Sequence, residues 1–227
     1  MAALKLLSTL AVMGAMKELT KAYRAQTGIR IEAEFAPTVA LLERIRANEV
    51  GDVAILTAQG IDDMMIEGPI LLGSRTDVAL SFVGVAVLAG APKPDISSVM
   101  AFRETMLAAR SVAYSKIGAS GIFFAALLER MGIADAVNTQ IVPTGFTAER
   151  LVSGEADLAV QQISELLVVP GIEVVGPLPA EIQTVATFSG GVLRTSVVAG
   201  AAQNFLRFLA GAEAEPILVK SGLKPVS

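Results

Sequence analysis

Cysteine, histidine and tryptophan are absent from this 227-residue chain. Without the first two there can be no disulfide, no thiolate nucleophile, no His-based triad and no zinc site built on nitrogen or sulfur ligands. Any catalysis is left to carboxylates, Lys, Tyr, hydroxyls or backbone dipoles. The lack of Cys is compatible with every redox compartment. Aromatic residues make up only 5%, scattered rather than interleaved with basic ones, and the net charge is −4 with no run of Lys or Arg. A nucleic-acid surface needs a clustered basic face, so no nucleic-acid partner is expected. Long apolar runs are missing too. The longest charge-free stretches, Val78 to Pro92 and Leu6 to Met16, fall short of the roughly 18 residues of a membrane-spanning helix, so no direct membrane insertion is expected.

What is present is a core. Hydrophobic residues reach 53% and charged residues 18%, which excludes a disordered chain. The length suits one large α/β domain or two small lobes. Met1-Ala2-Ala3-Leu4-Lys5 followed by Leu6 to Met16 superficially resembles a signal peptide, but Lys17, Glu18, Lys21 and Arg24 continue the same helical pattern with no cleavage site between. The expectation is a cytoplasmic chain as written, or a periplasmic one if a leader has been removed.

Read in order, Leu4 to Leu7 is an apolar strand, and a helix with Val12, Met16, Leu19 and Tyr23 on one face follows until Gly28 ends it. Strand Ile29 to Phe35, helix Val39 to Asn48 opened by Pro37-Thr38, strand Asp52 to Thr57 and helix Ile61 to Glu67 complete a β-α-β-α-β-α run, which implies parallel strands with right-handed crossovers. Thr9 and Thr38 then fall at the carboxyl ends of strands and the starts of helices, where ligands of open α/β sheets collect. Both also read as plain N-caps. A second α/β run spans Met100 to Gly176, with Phe146 to Val152 as a short helix. Helices Ala202 to Ala210 and Glu213 to Val219 close the chain, and Phe205, Phe208 and Leu209 are spaced for core packing. The long strands Val78 to Leu88 and Gln183 to Leu193 read as crossovers. The expected lobes are 1–79 with 186–227, and an inserted 80–185, each a mixed, mostly parallel sheet flanked by helices.

The stretch that organises this pattern is Tyr114-Ser115-Lys116-Ile117-Gly118-Ala119-Ser120-Gly121, followed by Ile122 to Met131. A strand ends here, Gly118 and Gly121 permit a tight turn with close backbone approach, and Phe123, Leu127 and Met131 recur at helical spacing. With Ser120 as the expected N-cap, unpaired first-turn N–H groups and the positive end of the helix dipole make an anion site. An ordinary capped turn fits the same residues. It is not a P-loop, because the Gly-Lys-Ser/Thr ending is missing.

Several further segments matter together: Leu7-Ser8-Thr9, Leu41-Leu42-Glu43-Arg44-Ile45, Asp52 to Thr57, Gly73-Ser74-Arg75, Gly90 to Ile96, Gly118-Ala119-Ser120-Gly121, Gly154 to Leu158 and Val160-Gln161-Gln162-Ile163-Ser164-Glu165. With them, essentially the whole chain resembles the type 2 periplasmic binding proteins of the molybdate-binding kind. The resemblance implies a two-lobed hinge protein that closes on a small anion, with hydroxyls and backbone N–H groups as donors, no cofactor and no metal. It also implies an ABC-type membrane transporter as partner, and a monomer or weak oligomer. Carried over by position, Thr9 and Thr38 are first-lobe contacts, and Ala119, Ser120 and the Phe146-Thr147 turn are second-lobe contacts. Gln161 stands where molybdate binders use a tyrosine. An amide offers two donors and an acceptor and suits a planar carboxylate at least as well as a tetrahedral oxyanion, so a small carboxylate is favoured as cargo. Some proteins resembling the family are isomerases of unsaturated tricarboxylates, and an enzyme of that kind is the alternative.

Among the charged residues, Arg75 is a candidate clamp for a ligand carboxylate, with an ion pair to Asp77 as the competing reading. Arg110 and Arg194 are weaker candidates. Glu165 reads either as a cleft base or as a first-turn residue favoured by the helix dipole. Tyr114 and Lys116 flank the central turn. No catalytic residue is assigned.

Overall fold

The structure, a computed structural model, describes residues 3–226. Met1, Ala2 and Ser227, which belong to the expected first lobe, lie outside the described residues. In chain order the elements are β1 (Ala3–Thr9), α1 (Met13–Thr27), β2 (Arg30–Ala36), α2 (Thr38–Arg46), β3 (Val53–Thr57), α3 (Ala58–Glu67), β4 (Thr76–Leu88), α4 (Val99–Ala108) and β5 (Val112–Ser115). They continue with α5 (Ala119–Arg130), β6 (Thr139–Val142), α6 (Glu149–Val152), β7 (Leu158–Gln162), α7 (Ile163–Leu166), β8 (Ile172–Pro177), β9 (Val185–Val192), α8 (Ala199–Leu209), α9 (Glu215–Lys220) and β10 (Lys224–Pro225). Two compact units emerge: the described residues up to Ser81 with those from Ala186 onward, and Phe82–Val185.

In the first unit β1 lies between β2 and β3 in parallel register, and β9 runs antiparallel to β3. Period-two alternation decides which residues face which helices. Leu4, Leu6, Val53 and Ile55 pack on one face against Met16 and Leu19 of α1, Phe205 and Leu206 of α8 and Leu218 of α9. Leu7, Ala54 and Leu56 pack on the other against Leu41 and Ile45 of α2 and Ile61 and Met64 of α3. Helices on both faces explain why β3 reads as a continuous apolar run rather than an alternating one. The predicted helix end at Gly28 is a left-handed C-cap, φ 75°, with its N–H bonded to Arg24 O at 2.8 Å.

In the second unit β5 lies between β6 and β7 in parallel register, and β4 runs antiparallel to both β7 and β8. Val83, Val85, Val112 and Val160 face Phe102 and Met106 of α4 and Phe124, Leu127 and Leu128 of α5. Ala86, Ala113 and Ala159 face Leu151 of α6 and Leu166 of α7 on the opposite side. The fully buried apolar side chains of α5 are Phe124, Leu127 and Leu128, and Phe123 and Met131 of the expected Phe123–Leu127–Met131 stripe are partly buried against the same cluster. The helix expected over Phe146 to Val152 is shorter: only Glu149–Val152 is helical, because Phe146 to Ala148 form a turn held by a bond from a distant strand.

Candidate functional site

In the second unit the three parallel strands deliver their carboxyl ends to one edge. β5 ends at Ser115, whose hydroxyl accepts from the Gly118 N–H at 3.0 Å and closes the turn. Gly118, in extended backbone, is the N-cap of α5, and its carbonyl accepts from the N–H groups of Gly121 and Ile122, each at 3.0 Å. Ser120, expected to be the cap, is the second residue of the helix and 2% exposed. The helix starts earlier because Ser115 supports the turn from behind, a role signalled only by a serine three residues before the glycine. The N–H groups of Ala119 and Ser120 precede the first intrahelical bond, at the positive end of the helix. Gly121 is what lets the helix begin so close to the strand. A Cβ there would lie 1.7 Å from the Ser115 carbonyl oxygen and 2.6 Å from its carbon.

β6 ends at Val142, and the following turn carries Thr147, which is fully buried. Its N–H and its hydroxyl both donate to Gln161 Oε1 at the end of β7, at 2.8 and 3.0 Å. Gln161 Nε2 reaches the Gly145 carbonyl at 3.4 Å, and the same side chain bonds the carboxylate of Glu165. The amide thus spends both lone pairs and both N–H groups inside the unit. Gln161 and Thr147, expected as ligand contacts, brace the β6 turn against β7 and Glu165.

Glu165 is the third residue of α7 and half-buried. Burial pushes its carboxyl up to about 7, while hydrogen bonds from the Gln162 backbone and the Gln161 side chain pull the other way. No lysine or arginine contributes. Of the two sequence readings, first-turn placement is seen.

The first unit repeats the device. Thr9, 4% exposed, ends β1 and places its Oγ1 3.0 Å from Thr38 Oγ1 at the start of α2. Thr9 makes no capping bond to the short 3-10 turn Leu10–Val12, so its hydroxyl is not used as a cap. In α2 the first backbone bond is Leu41 N–H to Pro37 O at 3.1 Å, which leaves the amides of Thr38, Val39 and Ala40 ahead of it. At the end of β3, Thr57 caps α3 by accepting from the Gly60 N–H at 3.2 Å; sequence reasoning did not single it out.

Arg75 belongs to an internal cluster of the first unit. Its Nε donates to Asp77 at 2.8 Å and its Nη1 to Asp62 at 2.6 Å, and Ser189 also donates to Asp77, at 2.6 Å. The planar fork is matched to Asp77, as the competing reading has it. Arg110 is paired with Asp157 at 2.7 Å, and Arg194 donates to the Gly68 carbonyl at 2.6 Å. A cavity of about 680 Å³ in the second unit, lined by Val87, Leu88, Ala91 and Pro92 among others, lies at the amino ends of β5 and β7, the edge opposite Ser115 and Gln162. Among the described residues no three Asp or Glu side chains come together to hold a metal, and no helix is long and apolar enough to cross a membrane.

Open α/β units with hydroxyls and helix starts at their strand ends define a binding-protein architecture. The periplasmic molybdate-binding protein of Azotobacter vinelandii shares the fold with a TM-score of 0.82 at 18% identity, over 99% of this chain and 100% of that one. The sulfate-binding protein SubI of Mycobacterium tuberculosis H37Rv aligns with a TM-score of 0.78 at 15% identity, over 100% of this chain and 88% of that one. The model of the bacterial extracellular solute-binding protein family matches residues 4–224, and the chain belongs to that family. It is also 36% identical, over 98% of its length and 88% of the relative's, to a Pseudomonas protein named aconitate isomerase.

Proposed function

We propose that this protein binds a small unsaturated polycarboxylate of the aconitate class and interconverts its isomers. One observation carries the reading: Glu165, whose carboxyl has no cation beside it, follows β7 directly at the strand edge where β5 gives way to α5. In a pure anion receptor a carboxylate near the donors repels the cargo, since like charges within a few ångströms disfavour each other. In a proton-transfer enzyme it is the working group, and a carboxyl raised to about 7 is matched to neutral pH. The 36% identity to the Pseudomonas relative supports the same ligand class.

Within the second unit a ligand carboxylate is held by the N–H groups of Ala119 and Ser120; the first unit offers donors of the same kind in the Thr9 and Thr38 hydroxyls. These are fixed donors that stabilise negative charge without reorganising. A second reading, favoured by the family description and by the molybdate- and sulfate-binding neighbours, is a receptor that works outside the cytoplasmic membrane and delivers a small anion to a transporter.

Thermal shifts with cis- and trans-aconitate, citrate, molybdate and sulfate test the ligand class, because ligand at 100 times Kd adds about 2.7 kcal/mol. Proton NMR of aconitate incubated with the protein tests the reaction. Stabilisation by aconitate with conversion of one isomer to the other is expected. Stabilisation by molybdate and by no carboxylate overturns the ligand assignment, and stable binding without conversion leaves the receptor.

A further inference from the structure

We propose that Glu165 is the base that removes a proton from the methylene carbon of the bound unsaturated carboxylate and returns it to the far carbon of the same allyl system. The assignment rests on the isomerase reading above and adds the reacting residue to it.

Moving a double bond one position along a carbon chain needs a single proton to leave one carbon and arrive two carbons away. A methylene between a carboxylate and the alkene gives up its proton to the Glu165 carboxylate, and the C–H electron pair becomes the new C=C bond. The electron pair of the old double bond moves toward the far carbon and its carboxylate, forming a dienolate. Protonated Glu165 then gives the proton to that far carbon. Nothing is oxidised or reduced, and the carboxylate is regenerated. One base on one face of the substrate suffices, in keeping with a chain that has no His or Cys.

The geometry places Glu165 at the strand-end edge of the second unit. It follows β7 directly at the edge where β5 and β6 also end, and the Gln161 side chain fixes its carboxylate. That amide is itself locked, because Thr147 donates to its oxygen twice, at 2.8 and 3.0 Å. The carboxylate is therefore held by a braced neighbour rather than by an ion pair, and no cation quenches its basicity. Three other carboxylates of the unit are tied up in ion pairs: Asp157 with Arg110, Glu155 with Arg150 and Glu173 with Lys93. Burial pushes the Glu165 carboxyl up to about 7, which strengthens it as a base while leaving a large share ionised at neutral pH. The α5 amides at the same edge suit the added charge of the dienolate.

The test uses the wild-type protein and Glu165→Gln, which keeps shape and hydrogen bonding but cannot take a proton. Aconitate conversion is followed by proton NMR, and aconitate binding by thermal shift and calorimetry. The glutamine variant should bind aconitate as well as wild type and lose conversion by at least about 10²-fold, the usual share of a general base. Glu165→Asp, which keeps a carboxylate, should recover part of the rate. A Glu165→Gln variant that converts aconitate within a few-fold of wild type overturns this assignment alone. A wild type that binds aconitate and leaves it unchanged overturns the isomerase reading and this assignment together.

Discussion

Replacing Gly121 by alanine tests the construction of the α5 cradle with one methyl group. The added Cβ would stand 1.7 Å from the Ser115 carbonyl oxygen, 2.6 Å from its carbon and 3.0 Å from its Cα. All three atoms are backbone, so no side-chain rotation relieves the clash. Opening the 1.7 Å contact to a tolerable 3.0 Å or more displaces the start of α5 from the end of β5 by about 1.3 Å. Overpacking of this kind costs about 1–3 kcal/mol, and the upper end applies where backbone must move. For a chain of this length, about 3 kcal/mol corresponds to a fall in Tm of roughly 6–12 °C. The functional loss should be larger, since a displacement of about 1 Å in a positioning element can cost ~10²-fold. Gly200→Ala is the control, because its Cβ would meet nothing within 4 Å and it lies in a helix, where alanine gains up to about 1 kcal/mol. Urea unfolding and aconitate titration of both variants provide the measurement. A Gly121→Ala protein as stable as wild type, with the same affinity, would refute the claim that the Ser115 carbonyl and α5 are in forced proximity and that the anion is held there.

Glu165 should be a stability liability. Its folded-state pKa is raised from 4.5 to about 7, so the folded protein holds the extra proton and stability falls as pH rises between those values. Glu165→Gln should therefore stabilise the protein by about 2 kcal/mol at pH 8 and little at pH 4.5 in urea unfolding; an equal gain at both would contradict the burial argument. Glu49 has the opposite sign: hydrogen bonds from Arg44 and Lys5 hold its carboxyl down to about 2, so its contribution is complete above pH 4.5 and is lost as pH falls toward 2. Its side chain is 25% exposed, which limits the effect to about 1 kcal/mol, and Glu49→Gln should flatten that part of the acid-unfolding curve. Arg75→Ala should cost about 1 kcal/mol by stranding Asp62 and Asp77 and should leave aconitate affinity unchanged; a tenfold loss of affinity would return Arg75 to the ligand. Thr38→Val should weaken binding by roughly 10- to 100-fold, the effect of losing one hydrogen bond to a charged group, with stability changed by less than about 1 kcal/mol in thermal melts.

Features of the fold that depend on neighbours in the chain were legible before any coordinates. Gly28 ends α1 and Gly68 ends α3 in left-handed backbone, as glycines after amphipathic runs predict. The buried face of α1, Met16, Leu19 and Tyr23, follows from spacing alone. Where a distant residue intervenes, local reasoning goes astray. Phe146 to Ala148 carry a helical pattern but form a turn, since Thr147 is bonded to Gln161, fourteen residues away. Ser120 has the chemistry of a cap, yet Ser115 and Gly118 set the helix start before it. The site followed the same rule. Strand-end hydroxyls were readable from position, while the engagement of Gln161 and Arg75 depended on partners that no spacing rule supplies.

The same contrast explains why ligand chemistry is harder to read than binding class. Hydroxyls and first-turn amides at the carboxyl ends of β1, β2 and β5 suit any small anion, whether molybdate, sulfate or a carboxylate, because they answer to charge alone. Specificity and reactivity come from what is added to them. In the proposed reading the addition is the Glu165 carboxyl, hydrogen-bonded but without an ion-pair partner, which works against a cargo of fixed charge and becomes useful if the bound molecule has a proton to give. Gln161 keeps that carboxyl in place without neutralising it, because an amide donates a hydrogen bond but carries no charge. A lysine or arginine at the same position would pull the Glu165 pKa down and take the proposed base out of range at neutral pH. The amide beside Glu165 and the absence of a cation there are therefore one requirement of the proposed proton transfer.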